Sequence, residues 1–261
     1  FRLNQKYFNY ATGLTMTNNR FNELFGQSPR NPKNEKITQF HMDIAASIQM
    51  VTEEVVLRLA KSIAKEKISK NLCMAGGVAL NCVANGKILK EKIFENVWIQ
   101  PAAGDAGGAL GAALALWHNE LKQERLTPLK DDMRGSYLGP AYNNDEIENS
   151  LSLCGAIYEK LSEEKLLKVA AEELSKEKTM GWFQGRMEFG PRALGARSIL
   201  ANPLSEKMQR ELNLKIKFRE GFRPFAPSVL SEEVSNWFNL NKESPYMSLV
   251  AKVKEDKKTK Q

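Results

Sequence analysis

Apolar residues recur at three- and four-residue steps from near Lys36 to near Lys67. The recurring residues are Ile37, Phe40, Ile44, Ile48, Val51, Val55, Leu59 and Ile63. This spacing predicts one long amphipathic helix, because residues three and four apart share a face of an α-helix. Residues 1–35 lack the period and contain several glycines and prolines, so we expect loops and short helices there.

Two similar units follow the long helix, each with a short apolar strand, a glycine turn and a helix. The strands are predicted over 71–75 and 97–101, and the helices over 78–90 and 109–117. Gly76-Gly77 forms the first turn, and Gly104-Asp105-Ala106-Gly107-Gly108 forms the second. Glycine turns between a strand and a helix present backbone N–H groups at strand ends in α/β folds. We therefore expect both turns to face one ligand crevice.

The second half of the chain continues the α/β order after a charged stretch rich in glycine and proline. We place a domain boundary in that stretch near Arg134, which gives domains over 1–134 and 135–261. Helices are predicted over 145–153, 163–176, 191–199 and 207–214, and strands over 179–184, 225–230 and 247–253. Asp145 followed by Glu148 has the spacing of a capping box at the start of the first of these helices.

Composition and length exclude several classes of protein. The chain has 261 residues, 42% of them apolar and 26% charged, as ordinary globular proteins do. It contains no apolar run long enough for a membrane span and no basic–apolar leader, so we expect a cytoplasmic protein without a membrane partner. The three cysteines lack metal or redox spacing, which indicates buried free thiols. The chain begins at Phe1, and we interpret it as a fragment of a longer protein.

The positive charge is concentrated in one region. The net charge is +7, and the stretch 185–223 holds nine Lys and Arg against four Asp and Glu. Such an island indicates a partner rich in negative charge, either phosphate esters or nucleic acid.

Three arginines in this island fall in Gly185-Arg-Met-Glu-Phe-Gly-Pro-Arg-Ala-Leu-Gly-Ala-Arg-Ser-Ile-Leu200. Because Pro191 suits the first position of a helix, we expect Arg186, Arg192 and Arg197 to form an oxyanion clamp at a helix start. Lys215, Lys217 and Arg219 would share one face of an extended run, with Arg223 just beyond. The alternative is a solvated charged edge on which Glu188 and Glu220 make weak surface salt bridges.

The glycine turns have two interpretations each. Gly76-Gly77 lets a phosphate or an adenosine approach the main chain, with Asn81 one helical turn later, or it serves tight strand-to-helix packing. Asp105 could ligate a divalent metal near nucleotide phosphates, or it could be a helix N-cap. His41 and His118 lack metal spacing and are surface or packing residues by this interpretation.

Four ordered runs, over 74–81, 101–113, 187–200 and 222–227, resemble the carbamoyltransferase family of nodulation-factor and antibiotic biosynthesis. The resemblance implies the C-terminal half of an actin-like ATPase domain, followed by a YrdC-like α/β domain. It also implies that carbamoyl phosphate and ATP form carbamoyl-adenylate at the YrdC-like domain. The carbamoyl group would then pass to a hydroxyl of a small molecule or sugar at the nucleotide- and metal-binding domain.

The resemblance also implies roles for individual residues. It places Gly76, Gly77, Asn81, Gly107 and Gly108 at the nucleotide and Asp105 at a divalent metal, iron or similar. The basic residues of the carbamoyl-adenylate site would be Arg186, Arg192, Arg197, Lys215, Lys217, Arg219 and Arg223. Family members also carry a His-x-x-x-His metal motif in an N-terminal half, and nothing in residues 1–36 matches it.

Two alternatives remain open at this point. One is transfer of a threonylcarbamoyl group to tRNA, which the fusion of both domain types in one chain argues against. The other is an RNA-binding module that uses the basic island. Phe189, Phe218, Phe222 and Phe225 lie among apolar neighbours, so we expect them in a core rather than stacked on bases. The expected partners are a small-molecule hydroxyl acceptor and a second copy of the chain, with no nucleic acid.

Overall fold

The structure, a computed structural model, describes residues 1–126 and 131–258. The chain divides into two compact units, Phe1–Ile68 and Ser69–Gln261. The predicted domain boundary near Arg134 falls inside the second unit and stays a prediction.

The first unit contains two helices, α1 (Asn19–Phe25) and α2 (Gln39–Lys65), preceded by a short 3-10 turn. The predicted long helix is confirmed as α2. Val56 and Ala60 are buried on it. Its predicted apolar stripe is largely exposed, however: Ile48 is 61% exposed and Val51 53%.

The second unit opens with the two predicted glycine units. Its first elements are β1 (Asn71–Met74), α3 (Cys82–Lys90), β2 (Asn96–Ile99) and α4 (Asp105–Ala115). The two strands pair in parallel, with Asn71 opposite Asn96 and Met74 opposite Ile99. Ala79, Ile99 and Ala103 form a buried cluster at the carboxyl end of this small sheet.

The rest of the second unit completes a mixed α/β order, as predicted. Its elements are α5 (Asn144–Leu153), α6 (Glu163–Ser175), β3 (Met180–Phe183), β4 (Arg197–Leu200), α7 (Met208–Glu211) and α8 (Val234–Trp237). Strands β3 and β4 pair antiparallel, with Met180 opposite Leu200. A π-helical turn, Leu212–Ile216, extends α7, and a second one, Leu116–Glu120, extends α4.

The predicted helix over 191–199 is wrong. Residues 191–196 form a loop, and β4 begins at Arg197. The backbone N–H groups of Leu194, Ala196 and Arg197 donate to the Glu188 carboxylate, so they are not available for the i to i−4 bonds of a helix.

Three further local predictions are corrected. Residues 225–230 form no strand, and from 247–253 only Val253 makes a bridge, with Phe238. Helix α5 is capped by Asn143 in a capping box with Glu146, rather than by Asp145 with Glu148. The three cysteines are free, but they are not the buried thiols expected, since Cys73 and Cys154 are exposed and Cys82 is partly exposed.

Across residues 1–126 and 131–258, no helix has both the length and the apolar character needed to cross a membrane.

Candidate functional site

The two glycine turns lie side by side. Parallel neighbouring strands end at the same edge of a sheet, so β1 and β2 deliver their turns to one place. The Gly76 N–H donates to the Ala103 carbonyl oxygen at 2.8 Å. The two predicted turns therefore lie at one edge, although residues 105–108 of the second belong to α4 rather than to a turn. The ligand crevice expected there stays a prediction.

The main chain is open at part of this edge. Gly76 has φ of +95°, a backbone conformation that residues other than glycine rarely adopt. A Cβ added at Gly76, Gly77 or Gly108 would meet no atom within 4 Å. A Cβ at Gly107 would instead lie 2.0 Å from the Ala102 carbonyl oxygen, so Gly107 serves close packing. Three of the four predicted glycines thus leave room for a ligand.

Asn81 has a structural role at the first turn. It is the N-cap of α3, where its Oδ1 accepts the Ala84 N–H at 3.1 Å. This bond fixes the start of the helix directly after the turn. Its predicted contact with a nucleotide stays a prediction.

Asp105 is the first residue of α4 and is exposed, while Gly104 occupies the N-cap position. The alternative interpretation of Asp105 as the N-cap is therefore wrong by one residue. Within the described part of the chain, no three His, Cys, Asp or Glu side chains come together as a metal site. His41 accepts the Thr38 N–H at 3.0 Å at the start of α2, and His118 contacts the Gln123 carbonyl oxygen at 3.0 Å. Both histidines thus make local contacts, and the metal role of Asp105 stays a prediction.

The segment 186–197, called the arginine loop below, packs against the glycine turns. Gly190 has φ of +122°, and a Cβ there would lie 3.4 Å from the Ala102 Cα. The Arg192 Nη2 donates to the Leu80 carbonyl oxygen at 3.2 Å. The structure therefore brings together glycine turns and basic residues that lie about 110 positions apart in the sequence.

The three arginines of this loop have different surroundings. Arg192 is partly buried, and its Nε finds no hydrogen-bond partner among the described residues. Arg186 is exposed and donates to the Gly139 carbonyl oxygen at 2.6 Å. Arg197 keeps 45% of its side chain exposed beside Glu188. The helix start predicted at these arginines is wrong, since Arg186 and Arg192 lie in a loop and Arg197 begins β4. Their role as an oxyanion clamp stays a prediction.

Glu188 is the residue of this region that the sequence interpretation misplaced. The pattern allowed a weak surface salt bridge, but the side chain is fully buried. Its carboxylate accepts backbone N–H groups from Leu194 at 2.7 Å and Ala196 at 2.8 Å. Burial raises the pKa of Glu188, but these backbone N–H donors outweigh burial and hold the pKa below its ordinary value. The sequence feature that could have indicated this role is a single acid, Glu188, among three arginines and two glycines.

A second group of predicted cations follows α7 in the segment 211–223, called the basic segment below. Lys215 pairs with Glu211 at 3.2 Å and Arg223 with Glu220 at 2.7 Å. The predicted extended face of Lys215, Lys217 and Arg219 is wrong, because the chain is helical up to Ile216 and Lys217 caps that turn. Three of the four predicted cations contact residues of the same segment: Lys215 contacts Glu211, Arg219 contacts Asn213 and Arg223 contacts Glu220.

Asn213 organises the basic segment, and the sequence interpretation missed it. Its side chain is fully buried. The amide nitrogen donates to the carbonyl oxygens of Gly221 at 3.3 Å and Arg223 at 2.7 Å, and its oxygen accepts from Arg219 Nε at 2.6 Å. The Arg219 guanidinium also lies 5.0 Å from the centre of the Phe225 ring.

The phenylalanines near these cations do not form a core. Phe218 is 84% exposed, Phe222 69% and Phe225 37%, while Phe189 is partly buried. The expectation that all four pack in a core is wrong, since the loop carries three of them on its outside.

Comparison with known proteins places these features in a family. The sequence model described as Carbamoyltransferase N-terminus matches residues 1–114, and the one described as Carbamoyltransferase C-terminus matches residues 171–261. The glycine turns fall in the first match and the arginine loop in the second. The two models describe the N-terminal and C-terminal parts of the proteins of one family, and together they match most of the chain. The chain belongs to the carbamoyltransferase family.

Curated relatives support this membership. Nodulation protein NolNO of Sinorhizobium fredii is 41% identical over 87% of this chain and 33% of its own length. Nodulation protein NolO of Bradyrhizobium diazoefficiens is 39% identical over 86% of this chain and 41% of its own length. An uncharacterized protein of Synechocystis sp. is 58% identical over 98% of this chain and 42% of its own length. The chain spans less than half the length of these relatives.

Proposed function

We propose that this chain is part of an ATP-dependent O-carbamoyltransferase. The protein would activate carbamoyl phosphate as carbamoyl-adenylate and pass the carbamoyl group to a hydroxyl of a small molecule or sugar. Family membership supports carbamoyl transfer, and one observation carries the rest of the proposal. The Arg192 Nη2 donates to the Leu80 carbonyl oxygen, three residues after the open Gly76-Gly77 backbone, so a fixed cation lies near that turn.

The two donors of this reaction need such a site. ATP and carbamoyl phosphate are both polyanions, so they repel each other unless cations are fixed between them. Arg192 has a buried Nε without a partner among the described residues, and Arg197 keeps 45% of its side chain exposed. A phosphate oxygen would contact the exposed part of Arg192, since its Nε is not accessible to solvent.

The proposed chemistry has three steps: hydrolysis of carbamoyl phosphate, adenylation of carbamate and transfer of the carbamoyl group. Water cleaves carbamoyl phosphate to carbamate and inorganic phosphate, and a carbamate oxygen attacks the α-phosphorus of ATP. A C–O–P bond forms there and pyrophosphate leaves. The acceptor hydroxyl oxygen then attacks the carbamoyl carbon, its proton is lost and AMP leaves.

Residues of this chain take distinct parts in the proposal. Gly76, Gly77 and Gly108 would admit the nucleotide to the main chain, while Asn81 and Gly107 keep the turns in shape. Arg192 and Arg197 would contact phosphate oxygens. Further positive potential would come from Arg186, Lys215, Lys217, Arg219 and Arg223.

The broader setting also remains part of the proposal. Residues 1–134 would be of the actin-like ATPase type and residues 135–261 of the YrdC type, in a cytoplasmic protein that forms a homodimer. Asp105 is one carboxylate and is not joined by other ligands among the described residues. No step of the proposed reaction is therefore assigned to a metal held by these residues.

The test is carbamoyl-phosphate-dependent release of pyrophosphate from ATP by the complete protein. We expect Arg192→Ala to lower this rate at least about 100-fold, because a fixed cation is lost where charge develops. Arg58→Ala is the matched control, since Arg58 is a surface arginine paired with Glu54 on α2, and we expect wild-type rates from it. Equal rates in wild type and Arg192→Ala would exclude Arg192 from the reaction.

The second candidate is an RNA-binding function, including transfer of a threonylcarbamoyl group to tRNA. The exposed Phe218 and Phe222 beside Lys217 and Arg219 favour it, because single-stranded RNA binds stacked on aromatics near cations. Exposed apolar side chains also occur far from the cations, however, such as Ile157 at 103%. Exposure of the phenylalanines therefore does not single out RNA.

Binding to tRNA at several salt concentrations separates the two candidates. Submicromolar affinity that falls steeply with salt would favour RNA, whereas absence of binding supports the small-molecule reaction.

A further inference from the structure

Glu188 is a carboxylate buried within the most cationic part of the chain. Its side chain is 0% exposed, while the Arg197 side chain beside it is 45% exposed. A buried charge is costly unless donors surround it. The arrangement therefore calls for an explanation beyond a surface ion pair.

Backbone and side-chain donors surround the carboxylate. One oxygen, Oε1, accepts from the backbone nitrogens of Leu194 at 2.7 Å, Ala196 at 2.8 Å and Arg197 at 3.2 Å. The other, Oε2, accepts from the Arg197 backbone nitrogen at 3.2 Å and from its Nε at 3.5 Å. Arg197 Nη2 also donates to the Glu188 carbonyl oxygen at 3.4 Å. Glu188 thus holds both the backbone and the guanidinium of Arg197.

Two of the other contacts that fix the same loop lie at separate points. Tyr137 Oη donates to the Leu194 carbonyl oxygen at 2.6 Å, and Arg192 reaches Leu80 at 3.2 Å. Of the three anchors, Glu188 is the one that contacts Arg197. It also closes the loop from Glu188 to Ala196, because the Glu188 carboxylate accepts the Ala196 N–H.

This geometry favours a role in catalysis over stability alone. A guanidinium that is already fixed loses little freedom when an anion binds, and fixed charges stabilise a transition state better than mobile ones. The exposed part of the Arg197 side chain remains accessible to such an anion.

We propose that Glu188 is a positioning residue, which fixes Arg197 and the adjacent backbone so that the arginine loop is preformed for a phosphate-bearing donor. This inference rests on the proposed function for its kinetic consequences. Its anion-binding consequence stands without that function.

The principal variant is Glu188→Gln in the complete protein. The amide oxygen can still accept from Leu194 and Ala196, but the amide nitrogen now faces the Arg197 donors. We expect kcat/KM for pyrophosphate formation to fall about 10- to 100-fold. We also expect the KM for carbamoyl phosphate to rise, while thermal unfolding remains a cooperative transition. Glu173→Gln is the control, because Glu173 is a surface carboxylate paired with Lys176 and Lys178.

A double-mutant cycle tests whether Glu188 acts through Arg197. In an Arg197→Gln background, we expect Glu188→Gln to change kcat/KM less than about twofold, because the positioned group is already gone. An undiminished effect of Glu188→Gln in that background would overturn the inference. So would wild-type kinetics of the single variant.

Calorimetric titration with pyrophosphate separates this inference from the proposed function. We expect weaker binding in Glu188→Gln than in wild type and unchanged binding in Glu173→Gln. If wild type binds pyrophosphate but makes none from the two donors, the proposed function fails and the Glu188 inference survives. If wild type turns over both donors, and Glu188→Gln matches it in pyrophosphate binding and in turnover, the proposed function survives and the Glu188 inference fails. Should Glu188→Gln not fold, Glu188→Asp replaces it in the same measurements.

Discussion

Asn213 shows how one buried amide can order a charged loop. It makes hydrogen bonds to the backbone at Gly221 and Arg223 and to the Arg219 side chain. We predict that Asn213→Ala lowers the free energy of unfolding by about 2–3 kcal/mol, because buried backbone acceptors and a charged donor lose their partner. Urea denaturation measures the change. Asn236→Ala, at an exposed position, should stay within about 0.5 kcal/mol of wild type.

Tyr246 carries a second residue-level prediction, which concerns alkaline pH. Its hydroxyl donates to the Asp131 carboxylate and accepts the Gly135 N–H at 3.2 Å. Burial, followed by the bond to Asp131, raises the pKa of Tyr246 from 10.0 to about 12. The folded state therefore favours the neutral phenol. The resulting stability is complete below pH 10 and is lost as the pH rises towards 12.

The expected loss is about 2 kcal/mol across that interval. We predict that Tyr246→Phe removes this part of the alkaline decline, as followed by urea denaturation at a series of pH values. Tyr142→Phe, at a site 54% exposed, should keep the wild-type pH dependence. A decline of the same size in Tyr246→Phe would contradict the assignment.

At the residue scale, the sequence identified charges and glycines but not buried polar roles. Arg192 and Gly76 were found because guanidinium groups and paired glycines are visible in the sequence. Glu188 and Asn213 were missed because their partners are mostly backbone groups, which no side-chain pattern specifies. Burial of a polar side chain depends on the path of the loop around it.

Helix α3 and the C-terminal part of the second unit are in close contact, and two glycines test this. A Cβ at Gly86 in α3 would lie 2.8 Å from the Val250 carbonyl oxygen, whereas one at Gly111 in α4 would meet nothing within 4 Å. We predict that Gly86→Ala destabilises the fold by about 1–3 kcal/mol, since backbone must move. Gly111→Ala should stabilise it by about 0.5–1 kcal/mol through helix propensity.

Thermal unfolding of both variants provides the comparison. Stabilisation by both substitutions would show that residue 250 does not lie against α3.

At the element scale, periodicity predicted most helices and strands of the first half. It predicted α2 and the two strand–turn–helix units, because each has a clear apolar period. It was wrong for 191–199, where the backbone N–H groups go to a carboxylate instead of helix carbonyls. The helix predicted over 207–214 is present as α7 and the following π-helical turn. The extended run expected at Lys215, Lys217 and Arg219 was wrong, since alternating cations resemble a strand pattern.

At the scale of the whole molecule, contacts distant in sequence assemble the site. Asn85 donates to the carbonyl oxygens of Ala79 at 2.8 Å and Ser248 at 3.0 Å. Leu249 packs against the cluster at the end of β1 and β2. The sequence predicted that the two glycine turns meet, since parallel strands require it. It did not predict that Arg192 reaches Leu80, because no local pattern encodes that pairing.

The most direct test of the account is a crystal structure of the complete protein with carbamoyl phosphate and a non-hydrolysable ATP analogue. We predict phosphate oxygens within about 3 Å of the Arg192 guanidinium and of the main chain at Gly76-Gly77. Both donors bound elsewhere, with no ligand atom near Arg192 or the glycine turns, would contradict the claim that these elements form one anion-binding site.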